Sequence, residues 1–139
     1  MLAAAKHQHD LLHVIHGVSG EPLAELLREY DVGVHIAAAK GARSGPQVGI
    51  HLAAGQLLVT DALAQSHGLE RNIDYLQVND GGELVTLLDR LARFPEMHQR
   101  IRVRGRLKAE QYRSSRLFVR IAHDLIRDVA AFGALGSNA

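Results

Sequence analysis

Residues 46–61 read PQVGIHLAAGQLLVTD, a short helix running directly into a buried strand. Pro46 suits the first turn of a helix, where a missing N–H costs nothing. The helix is expected to reach about Ala54, and Gly55 can close it in the left-handed conformation that side chains disfavour. Gln56 to Thr60 then forms a strand whose apolar residues Leu57, Leu58 and Val59 follow one another instead of alternating. A strand of that kind is covered on both faces, which is the condition of a parallel sheet with helical crossovers.

The same grammar extends in both directions. Val32 to Ala37 is a second continuous apolar strand. Before it, Leu23, Leu26, Leu27 and Tyr30 share one face of an amphipathic helix, with Glu21 and Pro22 suited to its start. Leu11 to Ile15 reads as a further buried strand ending at Gly17. On the other side, Asp61 to Ile73 is mostly loop or one short helix, and Tyr75 to Val78 is the fourth strand. Asn79-Asp80-Gly81-Gly82 is turn chemistry and a helix start. Leu84, Leu87, Leu88 and Leu91 give the next helix its apolar stripe, which stops at Phe94-Pro95. The expected architecture is α/β, a Rossmann-like three-layer sandwich with about four parallel strands and a C-terminal helical pair. Residues 1–10 read as a flexible lead-in, 11–132 as one domain and 133–139 as a tail.

Two readings stand for residues 96–110. Arg100, Arg102, Arg104 and Arg106 alternate with Ile101, Val103, Gly105 and Leu107, the period of a strand. Met97 with Ile101, and Val103 with Leu107, pair at helical spacing. The helix is preferred, partly on the family likeness given below. Ser114 or Ser115 is expected to cap a long final helix to about Phe132, with Leu117, Phe118, Ile121, Ala122, Leu125, Ile126 and Val129 as its buried stripe.

Composition sets limits. The chain has 139 residues, 47% of them hydrophobic but only 4% aromatic, so aliphatic side chains must build the core. It contains no cysteine, which excludes disulfides, a Cys-based zinc site and a thiol nucleophile. No apolar run approaches the roughly 20 residues of a membrane span, and no signal peptide is evident, so a cytoplasmic location is expected.

The ordered series of segments resembles the group 1 family of glycosyltransferases. Pro46 to Asp61 is similar to that family's Glu-Ala-Met-Ala-Ala-Gly segment and the apolar strand that follows it. His67-Gly68-Leu69 with Asp74-Tyr75-Leu76, the helix Gly81 to Leu91, and Pro95 to Arg120 with its Gly105-Arg106 step resemble the succeeding parts. The likeness spans about residues 11–128. It implies the C-terminal, nucleotide-sugar-binding lobe of a two-lobed enzyme, a UDP- or GDP-sugar as donor, and transfer without a bound metal or other cofactor. Ile50 and Ala42 stand where the family carries its donor-binding glutamates. The chain begins near that lobe's third strand, and an N-terminal lobe would have to come from a partner chain.

Candidate ligand residues follow from position. In parallel sheets, ligands bind beyond the C-terminal strand ends. Lys40 and Arg43 lie in the Gly-rich loop after the second strand, with Gly45 beside them. Gln47, Val48 and Gly49 offer free N–H groups at a helix start. His51 on that helix could reach a sugar hydroxyl, although a helix-surface or core role is the plainer reading. His67 lies beyond the third strand. No catalytic residue is singled out. His7, His9, His13 and His16 invite a metal, but His9 and His13 share a face only on a helix, and Leu11 to Ile15 reads as strand; no metal site is assigned. Asp61 and Asp74 read as turn or cap residues.

The basic run Arg100, Arg102, Arg104, Arg106, Lys108, Arg113, Arg116 and Arg120 has only Glu110 within it as a counter-charge. Such a run suits peripheral membrane contact. Tyr112 is the only aromatic interleaved before Phe118, which argues against nucleic acid as a partner. The alternative to a donor lobe is a non-catalytic interaction module that forms a homodimer or pairs with a separate N-terminal lobe.

Overall fold

The computed structural model describes residues 17–37 and 45–136, with side chains as far as 132. The expected lead-in, the strand Leu11 to Ile15, the histidines 7, 9, 13 and 16, and the loop residues Lys40 and Arg43 lie outside the described residues. Within them the order is α1 (Gly20–Arg28), β1 (Val32–His35), α2 (Gln47–Ala53), β2 (Leu57–Thr60), β3 (Leu76–Gln77), α3 (Gly81–Arg93), α4 (Gln99–Glu110) and α5 (Ser114–Gly136). The three strands form one parallel sheet in the order β1-β2-β3.

β2 is the central strand, and its neighbouring residues Leu58 and Val59 are both 0% exposed. Neighbouring side chains on a strand point to opposite faces, so each face has its own apolar cluster. On one face Leu57, Val59, Leu76 and Val78 pack with Leu84 and Leu91 of α3. On the other, Leu58 packs with Val48 and Leu52 of α2 and with Leu69 and Tyr75. Apart from Tyr75, the buried apolar residues among those described are aliphatic, as expected.

Strand limits are set by available partners. β1 stops at His35, short of the expected Ala37, because β2 pairs Val32 to His35 with Leu57 to Thr60 and then ends. The Ala37 N–H turns instead to both oxygens of the Asp61 carboxylate, at 3.2 and 3.3 Å. Caps behave as read. Gly55 closes α2 with φ +80°. Asp80 caps α3 by accepting from the Glu83 N–H at 2.9 Å, and the Glu83 carboxylate accepts from the Asn79 N–H at 2.7 Å.

Residues 61–75 are the unusual connection. They join two parallel strands without a helix, although such crossovers are usually helical. α4, later in the chain, supplies the cover. Residues 99–110 are helical, and the body-facing positions are Ile101, Gly105 and Ala109. Ile101 packs with the α3-side cluster and Ala109 with the α2-side cluster. Gly105 sits so close that a Cβ there would lie 2.5 Å from the Asp74 carbonyl oxygen. The expected pair Val103 and Leu107 points outward instead. Arg102 fastens the helix, donating to the Gly55 carbonyl at 2.5 Å and to Asp31 Oδ1 at 2.6 Å. The Tyr112 hydroxyl donates to the His67 carbonyl.

α5 corrects one expectation outright. Its stripe is not buried: Leu117 is 39% exposed, Phe118 74%, Ile121 57%, Leu125 61%, Ile126 68% and Val129 63%, and only Ala122 is half-buried. Amphipathic spacing states that a face prefers to be covered; it does not state that this chain covers it. No serine caps the helix, either. Ser114 is its first residue, and the Arg113 carbonyl accepts from the Leu117 N–H at 2.9 Å. The helix also continues to Gly136, through the first part of the expected tail. Among the described residues no helix is long and apolar enough to cross a membrane.

Candidate functional site

The β1–α2–β2 crossover brings the start of α2 to the edge of the sheet where the strands end. Gly45 and Gln47 meet there, with the Gln47 side-chain amide lying where a Gly45 side chain would be. Gln47 is exposed, whereas the Val48 side chain is core, 7% exposed. Any role of Val48 in binding falls to its backbone. Pro46 provides no side-chain cap, and its carbonyl accepts from the Ile50 N–H at 3.0 Å.

Two further groups lie where β1 and β2 end. The Asp61 carboxylate takes the Ala37 N–H and, at 3.4 Å, the Thr60 hydroxyl. His35 is the last residue of β1. Partial burial pushes its imidazole below the ordinary histidine value of 6.5, Asp61 pulls it back up, and His51 adds a smaller downward push. The edge thus offers a neutral imidazole next to a carboxylate, able to share hydrogen bonds with hydroxyl groups. His35 was not among the residues picked from the sequence. Its position as the only titratable residue in the run Val32 to Ala37, at a C-terminal strand end, is the signal that could have marked it.

His51 is engaged elsewhere. Gln56, 2% exposed, donates from Nε2 to the carbonyls of Leu27 and Tyr30 at 2.8 and 3.2 Å. Both amide protons are then used, so Oε1 faces His51 Nδ1 at 2.6 Å and must accept from it. The network ties α1, α2 and the start of β2 together beside Gly33, where a Cβ would collide with the His51 ring. The core reading of His51 is the one the geometry favours. His67 is exposed in a left-handed conformation, φ 49°, followed by Gly68 at φ 81°. Its carbonyl meets Tyr112, and no hydrogen bond among the described residues joins it to Gly45, Gln47, Val48 or His51.

Asp74, far from being a simple turn residue, is 1% exposed. It accepts from the Glu70 N–H at 3.0 Å and faces Arg104 at 3.6 Å. The basic run is accordingly less free than the sequence suggested. Arg102 pairs with Asp31, Arg104 with Asp74, and Arg106 and Arg113 with Glu110. Asp31 and Asp74 are counter-charges brought in from distant parts of the chain. Among the described residues no group of three or more His, Asp or Glu side chains is placed to hold a metal ion.

His35 and His98 share a pH dependence. Burial lowers both below the ordinary value near 6.5, with Arg90 adding to the effect at His98. A lowered folded value means that the unfolded chain binds protons first. The stability is whole above about pH 6.5 and is lost as the pH falls through the folded values. Urea unfolding should give a lower midpoint at pH 5 than at pH 7.5, and His35→Gln should shrink that difference. A midpoint unchanged between the two pH values would contradict it.

Compared with protein-family models, with curated proteins and with solved structures, the chain matches none.

Proposed function

We propose that the chain is the C-terminal, donor-binding part of a metal-independent, two-lobed glycosyltransferase of the group 1 type, holding the diphosphate of a UDP- or GDP-sugar for transfer to an acceptor. The observation that carries this reading is the parallel β1–α2–β2 unit. It puts Gly45, Gln47 and the Val48 backbone beyond the end of β1, and in parallel α/β sheets ligands commonly bind at that edge. Lys40 and Arg43 would bring cationic donors to the diphosphate, in charge-assisted hydrogen bonds. His35 and Asp61 are suited to sugar or ribose hydroxyls. His67 stands apart from this corner and has the weakest claim. The activity requires an N-terminal lobe to bring the acceptor, and a cytoplasmic setting goes with this reading.

Isothermal titration of the full chain with UDP and with GDP tests the proposal. The expected result is millimolar binding that Lys40→Ala with Arg43→Ala abolishes. Absence of heat from both nucleotides at millimolar concentration would sink the donor reading.

A second reading, the non-catalytic interaction module, is favoured by the uncovered apolar face of α5. A tight dimer or a stable pair with a separate lobe, together with no nucleotide affinity, selects it. Peripheral membrane contact through Arg100 to Arg120 is weaker, because half of those cations already meet carboxylates.

A further inference from the structure

We infer that α5 pairs antiparallel with α5 of a second copy of the chain, the two helices crossing at Ala122. This inference does not depend on the nucleotide reading. Residues four apart form rows along a helix surface. In α5 two neighbouring rows are apolar: Leu117, Ile121, Leu125 and Val129, then Phe118, Ala122 and Ile126. All but Ala122 are exposed. The row bordering the first of these reads Arg116, Arg120, Asp124, Asp128, basic in its first half and acidic in its second.

That order costs an isolated helix stability. Arg116 sits in the first turn, at the positive end of the helix dipole, and the first turn holds no acidic residue. Arg116 with Arg120, and Asp124 with Asp128, are like-charge neighbours at the spacing where repulsion is felt, against one opposite-charge spacing, Arg120 with Asp124. Among the described residues no ion pair engages any of the four. Reversal of a second helix against the first resolves all of this together. Arg116 then opposes Asp128, Arg120 opposes Asp124, and both pairs are centred on residue 122. Phe118 opposes Ile126 about the same centre. Ala122, the smallest side chain of the two apolar rows, lies where the helices cross, and small residues there allow close approach. A two-fold axis makes each contact occur twice. An anionic membrane would attract the two arginines but repel the two aspartates, so a second copy fits the row better than a lipid surface does.

Sedimentation equilibrium of the full chain tests the pairing. The wild type should be a dimer that dissociates on dilution. Ile121→Asp with Leu125→Asp should be monomeric and still unfold in a cooperative thermal transition, because both side chains are exposed and neither belongs to the clusters around the sheet. Arg120→Glu and Asp124→Arg should each weaken the dimer by about tenfold, since each sets like charges opposite one another at two places. The double reversal R120E/D124R should restore it. In a chain without cysteine, Ala122→Cys should form a disulfide-linked dimer on mild oxidation and Val129→Cys should not. A wild type that stays monomeric at every concentration overturns the inference. So does a double reversal that fails to rescue, a crosslink at Val129→Cys, or a monomer that co-sediments with phosphatidylglycerol vesicles.

Discussion

Gln56→Leu is expected to lower the stability of the fold by about 3 kcal/mol, among the largest effects of any single near-isosteric change. Gln56 is 2% exposed, and both its amide protons and its amide oxygen are engaged inside the protein. Leucine matches its size but takes the donor away from the carbonyls of Leu27 and Tyr30 and the acceptor away from His51. Each buried group that loses a partner costs about 1–3 kcal/mol. Gln56→Glu supplies a chemical check. At neutral pH its carboxylate would face two carbonyl oxygens, and the loss should be at least as large; as acid protonates it, one donor returns and part of the loss should be recovered. Urea midpoints read both variants. A leucine variant as stable as the wild type would mean that the network contributes nothing net.

Gly105→Ala should cost about 2 kcal/mol, a result opposite in sign to helix propensity, which favours alanine by about 1 kcal/mol. The added Cβ would meet the Asp74 carbonyl oxygen at 2.5 Å and Leu52 Cδ2 at 2.7 Å. Leu52 is 2% exposed and has little room to yield. The oxygen belongs to the backbone just before β3 and cannot rotate aside. Relief therefore requires α4 to lift away, at the cost typical of overpacked cores. The midpoint in urea should fall without a change in slope. A midpoint above the wild type would show that α4 can move freely.

Much of the sheet was legible because its signals are local. Pro46, Gly55 and the Asp80–Glu83 cap each act within a few residues of themselves, and the continuous apolar run at Leu57 to Val59 reports burial on both faces. The face of α4 was not legible in the same way. Of Ile101, Gly105 and Ala109 only the first is strongly apolar, and at Gly105 close approach rather than apolar area selects the residue. The partners of Arg102 and Arg104 were hidden for another reason. Asp31 is 71 residues from Arg102, and nothing local announces such a pair. In α5 the stripe itself was correctly placed, but a stripe does not carry the identity of what covers it. At the candidate site, helix-start logic placed Gln47 at the beginning of α2, while the strand pattern drew no attention to His35 at the end of β1. The core role of His51 needed Gln56, five residues on, to be seen facing it.

The helix-free crossover 61–75 has a consequence for synthesis. When β3 leaves the ribosome, the segment leading to it has no cover, since Gly105, Ala109 and Tyr112 have yet to emerge from the exit tunnel. Leu63, Leu69 and Tyr75, which pack under that cover, remain open to solvent until α4 arrives. The sheet is thus completed late, by a closing helix whose contacts reach back as far as Asp31, 71 residues earlier. A nascent chain paused before Gln99 holds β1, α2 and β2 but not a finished layer, and it is there that a chaperone would find its hold.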